Sequence, residues 1–246
     1  MGERGDRKIA LVTGGNKGIG FEVARQLGQA GLVVILGVRD LGLGETASAR
    51  LRDEGLDIRP IMLDLMRGET IATAATAIAG EFGRLDVLVN NAGISLGRTD
   101  GPPGSADIES VRRIIATNFL GTLAVTQAML PLLRKAEAAR IVNVSSALGS
   151  LTLHGDPDWQ FAPYKFLGYS ASKAALNMLT VQLAYELRDT PIKVNSAAPG
   201  FTATDLNHHR GHQTVEQGAR EPVRLAMLSA DGPSGGFFNT AGALLW

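Results

Sequence analysis

The sequence predicts an α/β domain: a doubly wound parallel sheet of about seven strands, flanked by helices on both faces. Three observations carry that expectation. Short β-branched runs alternate with amphipathic, alanine-rich segments along all 246 residues. Several of the short runs are apolar at every position, as strands buried on both faces of a parallel sheet are. A glycine cluster directly follows the first such run and opens the first helical segment. No Pro/Gly/Ser-rich linker or internal repeat divides the chain, so one domain spanning 1–246 is expected.

The elements follow in order. Ile9–Thr13 reads as the first strand and about Ile19–Ala30 as the helix behind the glycine cluster. Leu32–Leu36, Asp57–Leu63, Leu85–Asn90, Arg140–Ser145 and Ile192–Ala197 read as further strands. Helices are expected at about Gly42–Glu54, Glu69–Phe82, Ile108–Lys135, Gly168–Arg188 and Val215–Leu228, with a short closing strand near Gly236–Asn239. This repetition implies right-handed crossovers. Two segments break the rhythm, at about 148–167 and 201–214. Both follow strand ends, where doubly wound folds place ligands, so both are read as substrate loops.

Composition narrows the function. Hydrophobic residues at 45% and charged residues at 20% describe an ordinary soluble globular protein. The 24 acidic and 24 basic residues cancel, so no broad footprint for nucleic acid exists. Cysteine is absent, which removes disulfides and thiolate metal sites and suits a reducing cytoplasm. The charged N-terminus does not resemble a signal peptide, and no apolar run reads as long enough to span a bilayer, so no membrane is expected. Gly2 invites a myristoyl anchor, but that pattern needs Ser or Thr where Asp6 stands.

The glycine cluster has the spacing Gly14-x-x-x-Gly18-x-Gly20, with Asn16, Lys17 and Ile19 between. Between a buried strand and a helix, such a turn lets backbone N–H groups approach a pyrophosphate. Cofactor choice is read at the end of the second strand, where an acid would take the ribose hydroxyls of NAD. Here Val38 stands at that position and Arg39 follows, with Lys17 nearby. Two cations and no acid favour NADP(H). The alternative is a plain surface pair of Arg39 with Asp40.

Tyr169 and Lys173 lie four residues apart in Tyr-Ser-Ala-Ser-Lys, on one face of an expected helix. A cation beside a phenol favours the phenolate, so the pair is expected to titrate nearer neutrality.

Together these residues resemble the short-chain dehydrogenase/reductase family, and its carbonyl reductase-like branch in particular. The resemblance covers nearly the whole chain. It rests on Thr13-Gly-Gly-Asn-Lys-Gly-Ile-Gly20, Asp64-Leu65, Asn90-Asn-Ala-Gly93, Asn118, Val142-Asn-Val-Ser-Ser146, Tyr169-Ser-Ala-Ser-Lys173 and Pro199-Gly200, in that order. It implies a Rossmann-type fold and hydride transfer between NADP(H) and a small carbonyl or alcohol substrate. Asp64, beside Leu65, would then bind the adenine, and Asn91 with Ala92 and Gly93 would line the adenine-ribose side while steadying the sheet. Lys173 would grip the nicotinamide ribose and help Tyr169 act as the acid. Ser146, rather than Ser145, would hydrogen-bond the substrate oxygen. Asn118 would interrupt its helix and hold a water in a relay to Lys173. Pro199, Gly200 and Thr202 would hold the nicotinamide, backbone groups of Thr202 reaching its carboxamide, with Thr204 nearby.

The spacing from Ser146 to Tyr169 is longer than in many members of the family, and the surplus carries His154, Trp159, Phe161 and Tyr164. An ordered pocket wall is expected there, with Tyr164 unable to replace Tyr169. Larger carbonyl reductases of this branch carry a longer insertion that helps to keep them monomeric, so monomer, dimer and tetramer all stay open. His208, His209 and His212 hint at metal but lie in a polar loop, and a solvated lid edge with no metal is expected. A hydrolase triad lacks its Gly-x-Ser-x-Gly elbow. A 3-ketoacyl-carrier-protein-type reductase and a non-catalytic NADP-binding sensor remain alternatives within the same fold.

Overall fold

The structure is a computed structural model that describes residues 7–246; Gly2 and Asp6, on which the anchor reading turns, lie outside the described residues. Seven parallel strands form the sheet: β1 (Ile9–Thr13), β2 (Val33–Val38), β3 (Ile58–Met62), β4 (Val87–Asn90), β5 (Arg140–Val144), β6 (Lys193–Ala197) and β7 (Phe237–Asn239). An eighth, β8 (Gly242–Ala243), pairs antiparallel with β7. It exceeds the expected seven because two residues carry no periodic signal. The order is β3-β2-β1-β4-β5-β6-β7-β8, so the winding reverses between β1 and β4. Ligands of doubly wound sheets bind at that switch point.

The apolar residues of each strand divide between the two faces. In β1, Ile9 and Leu11 pack towards α3 (Gly68–Phe82), α5 (Thr122–Leu133) and α7 (Leu167–Glu186). Ala10 and Val12 pack towards α1 (Gly18–Gln29), α2 (Leu41–Asp53) and α8 (Val215–Ala226). That strict alternation is why these runs read as apolar throughout.

The long helix expected over Ile108–Lys135 is three pieces: α4 (Ile108–Ile115), a π-helical turn at Ala116–Gly121, and α5. Contrary to expectation, the continuous run Ile108–Leu133 is long and apolar enough to cross a membrane. Within it Ile114, Val125, Met129, Leu132 and Leu133 are buried in the fold, while Ile108 and Leu120 are exposed. A four-residue helix, α6 (Leu151–His154), interrupts the first loop segment.

Candidate active site

The glycine turn sits where β1 ends. Gly14 and Gly18 take positive φ, 65° and 58°, which lets the chain reverse into α1. Thr13 Oγ1 accepts the N–H groups of Asn91 and Ala92, both at 3.0 Å. Asn91 Nδ2 donates to Thr13 O at 2.9 Å and Gly14 O at 3.3 Å. A Cβ at Gly20 would collide with this same amide, so the third glycine makes room for Asn91. The Asn91 amide thus ties the end of β4 to the glycine turn. Lys17 caps α1 without a side-chain hydrogen bond, and no acid stands in the first turn. The free N–H groups make an anion-binding end.

Beside the turn lies a cavity of about 390 Å³, whose lining includes Asn16, Lys17, Arg39, Asp40, Leu43 and Arg50. The alternative Arg39–Asp40 pair is not formed: Asp40 Oδ1 instead accepts from Leu43 N at 3.0 Å and caps α2. Arg50, over the Phe21 ring at 4.9 Å, is a third cation that the strand-end rule does not reach. Lys17 Nζ is held by Asp205 at 2.6 Å. Asp64 Oδ1 accepts from Met66 N at 3.0 Å, and Leu65 packs against the core.

At the carboxyl ends of β5 and β6, Tyr169 lies in the first turn of α7, with Ser146 near enough to its phenol to pull the phenol's pKa down. Ser146 Oγ also accepts from Leu148 N at 3.2 Å. Ser145 turns inward, its hydroxyl 3.4 Å from Lys173 O. Lys173 Nζ lies 5.6 Å from the Tyr169 ring centroid and donates to Val144 O at 2.8 Å. The titration expected of this pair is corrected. Burial pushes the phenol up to about 12, against the pull of Ser146. Burial also pushes the Lys173 ammonium down to about 8. Desolvation sets the direction of both shifts, with Lys173 buried and Tyr169 half-buried.

Asn118 stands in the π turn, a device common at functional sites. Its Oδ1 accepts from Ile94 N at 2.8 Å, and its Nδ2 donates to Ile94 O at 2.9 Å and Ser172 Oγ at 3.0 Å. Ser172 in turn donates to Tyr169 O at 2.7 Å. The helix is interrupted as expected, and the amide clamps the Ile94 backbone and the Ser172 hydroxyl. A Cβ at Gly93 would sit 3.2 Å from Asn118 Oδ1 and 3.7 Å from Lys173 Nζ, so Gly93 lies between them.

Pro199 and Gly200 follow β6. Thr202 is buried; its N–H donates to Gly200 O at 3.0 Å and its carbonyl accepts from Asn207 Nδ2 at 2.7 Å. Thr204 lies over Gly18, 3.5 Å from where a Cβ would stand.

Two residues at this site escaped the sequence reading. Asp100, fully buried, accepts from Gly168 N at 2.6 Å and Tyr169 N at 2.8 Å, fixing the start of the helix that carries Tyr169. Gln213 Oε1 is buried without a partner and lies 2.6 Å from where a Gly200 Cβ would stand. A lone polar residue in a loop has no period to reveal it; the turn chemistry around Asp100 was the only signal.

A chain of edge-on rings joins the two loop segments: His154–Trp159, Trp159–Phe161, Phe161–Phe201 and Phe201–His212, with centroids 5.1, 5.5, 6.3 and 5.9 Å apart. Tyr164 packs between Phe161 and Phe166. Among the described residues, no group of three or more His, Asp or Glu gathers to hold a metal.

Residues 8–214 match the family profile described as short chain dehydrogenase. The chain is 33% identical to (+)-neomenthol dehydrogenase of Capsicum annuum, over 94% of this chain and 95% of that protein. It is 31% identical to salutaridine reductase of Papaver somniferum, over 95% and 94%. The solved salutaridine reductase structure superposes with a TM-score of 0.81, covering 95% of this chain and 100% of that one. An NADPH-bound carbonyl reductase from chicken fatty liver gives a TM-score of 0.83 at 26% identity, covering 98% and 99%. With its glycine turn, switch-point sheet and Ser146–Tyr169–Lys173 cluster in place, the chain belongs to the short-chain dehydrogenase/reductase family of nicotinamide-dependent oxidoreductases.

Proposed function

We propose that the protein is an NADPH-dependent reductase of a small neutral ketone, aldehyde or quinone, with Tyr169 as proton donor. The carrying observation is the gathering of Ser146, Tyr169 and Lys173 at the same sheet edge as the glycine turn, with Lys173 Nζ 5.6 Å from the Tyr169 ring centroid. The names of the relatives, a neomenthol dehydrogenase and a salutaridine reductase, support carbonyl chemistry. The cavity with Lys17, Arg39 and Arg50 fits a 2′-phosphate, and the uncapped end of α1 fits a pyrophosphate. Gly14, Asn16, Gly18, Ile19 and Gly20 would line that turn, with Asp64, Leu65, Asn91, Ala92 and Gly93 bordering the adenosine half. Pro199, Gly200, Thr202 and Thr204 would border the nicotinamide, where Gln213 Oε1 supplies an unclaimed acceptor. The ring chain of segments 148–167 and 201–214 would wall an apolar substrate mouth. The absence of cysteine supports a reducing cytoplasm as the working compartment.

When bound, the cofactor supplies hydride to the carbonyl carbon. Ser146 and Tyr169 would direct their two hydroxyls at the carbonyl oxygen, where negative charge develops. A phenol pushed up to about 12 is protonated throughout the neutral range, which is the form that reduction needs. Lys173, still largely cationic at pH 7, stabilises the phenolate left behind and would take the ribose hydroxyls. Asn118 and Asp100 hold the backbone that places Tyr169. Tyr169→Phe should lower kcat by about 10²- to 10⁴-fold, the usual worth of a general acid. NADPH affinity, followed by fluorescence quenching, should stay nearly unchanged. Near-native turnover in this variant would end the proposal.

A further inference from the structure

Segment 201–214 is closed at its base and tied down at its tip. At the base, Gln213 N donates to Phe201 O at 3.1 Å and Ala203 N to Gln213 O at 2.8 Å. At the tip, Asp205 Oδ2 holds Lys17 Nζ at 2.6 Å, and Asp205 Oδ1 meets His209 Nε2 at 2.8 Å. The two histidines that follow carry left-handed backbone, φ 54° at His208 and 57° at His209. Non-glycine residues keep such angles only where surrounding contacts impose them. Lys17 also lines the cavity that holds Arg39 and Arg50. One ammonium therefore faces two anion sites, and a carboxylate of the loop already has it.

We propose that Asp205 is a specificity-determining residue that competes with the 2′-phosphate of NADP(H) for Lys17, so that phosphate binding releases the tip of segment 201–214. This rests on the assignment of Lys17 and Arg39 to that phosphate. The competition is direct: Lys17 cannot give its full charge to the phosphate while Asp205 keeps it. Phe201, packed on Phe161 at the base, keeps the loop attached when the tip opens. The tie thus links the cofactor end of the cleft to a segment that borders the substrate end.

Binding of 2′,5′-ADP and 5′-AMP, measured by calorimetry on wild type, Asp205→Asn, Lys17→Met and the double variant, tests this. Asp205→Asn should bind 2′,5′-ADP about three- to fivefold more tightly, as expected for loss of an exposed competing pair, and 5′-AMP equally well. In the Lys17→Met background, Asp205→Asn should bring no gain. A gain there would mean that Asp205 acts by plain repulsion of the phosphate, and would overturn the proposal. So would unchanged 2′,5′-ADP affinity in the single variant. If wild type itself shows no preference for 2′,5′-ADP over 5′-AMP, the NADP(H) assignment fails and the competition falls with it. Hydrogen exchange supplies a readout independent of affinity: 2′,5′-ADP, but not 5′-AMP, should speed exchange in 204–210 of wild type. Slower exchange there overturns the release.

Discussion

The two ends of the cleft are held by different physics. At the catalytic end, Tyr169 is fixed by buried groups: Asp100 on its N–H, Ser172 on its carbonyl, and Asn118 behind Ser172. Behind them runs a buried relay from Asn90 to Asn143, Thr180 and Ser196, with bonds of 2.9, 2.8 and 2.8 Å across β4, β5, α7 and β6. At the proposed phosphate end, Lys17 and Asp205 keep 64% and 55% of their side-chain surface exposed. Buried polar contacts are costly to leave unmade, whereas exposed ion pairs exchange cheaply with water and ligands. The proposed chemistry would require a phenol that does not move, and the proposed phosphate capture would require cations free to change partner.

The contrast can be broken in several places. Lys173 has an ordinary pKa of 10.5 and about 8 in the fold. Between those values the unfolded chain binds more protons, so the stability linked to this lysine is complete above about pH 10.5 and lost as pH falls through about 8. Tyr169 works in the opposite sense only above its ordinary 10.0. Urea unfolding should therefore show wild type gaining about 2 kcal/mol on Lys173→Met between pH 8 and 10. Parallel pH curves would show that the lysine is better solvated than its surroundings suggest. Asp100→Ala removes the cap of α7 and should cost about 1–2 kcal/mol of stability and lower kcat, with partial rescue by Asn. Full activity in the alanine variant would detach Asp100 from the placement of Tyr169.

At the exposed end the effects should fall on binding. Arg39→Asp should weaken NADPH by roughly tenfold and NADH much less, an outcome that equal losses would contradict. The smallest effect sharpens the comparison most. Asp205→Asn should shift unfolding free energy by no more than about 0.5 kcal/mol, because both partners are solvated. A larger loss would place the Lys17–Asp205 tie among the structural contacts.

The strand set was legible in the sequence because strands buried on both faces read as unbroken apolar runs. Their ends were less so: Leu32–Leu36 became Val33–Val38, and Asp57–Leu63 shrank to Ile58–Met62, since a strand ends where its backbone pairing ends rather than where hydrophobicity does. Glycine spacing located the turn, but not that Gly20 serves Asn91. Tyr169, Ser146 and Lys173 converge as their motifs suggest, while the direction of the phenol's shift was missed because spacing carries no measure of burial. Asp100 and Gln213 were invisible for a related reason. Their partners are backbone groups brought close only by the tertiary fold.

The π turn at Ala116–Gly121 gives the helical run a phase, much as a codon frame gives one to a message. Each residue of an α-helix advances the side chains by about 100°. Removing a single residue from 116–121 could leave hydrogen bonding regular and the core composition almost untouched. It would nevertheless turn the face of α4 that meets α7, or swing Asn118 away from Ile94. The stretch is thus sensitive to length before it is sensitive to identity, and a one-residue deletion there should be read as a frameshift of helical faces.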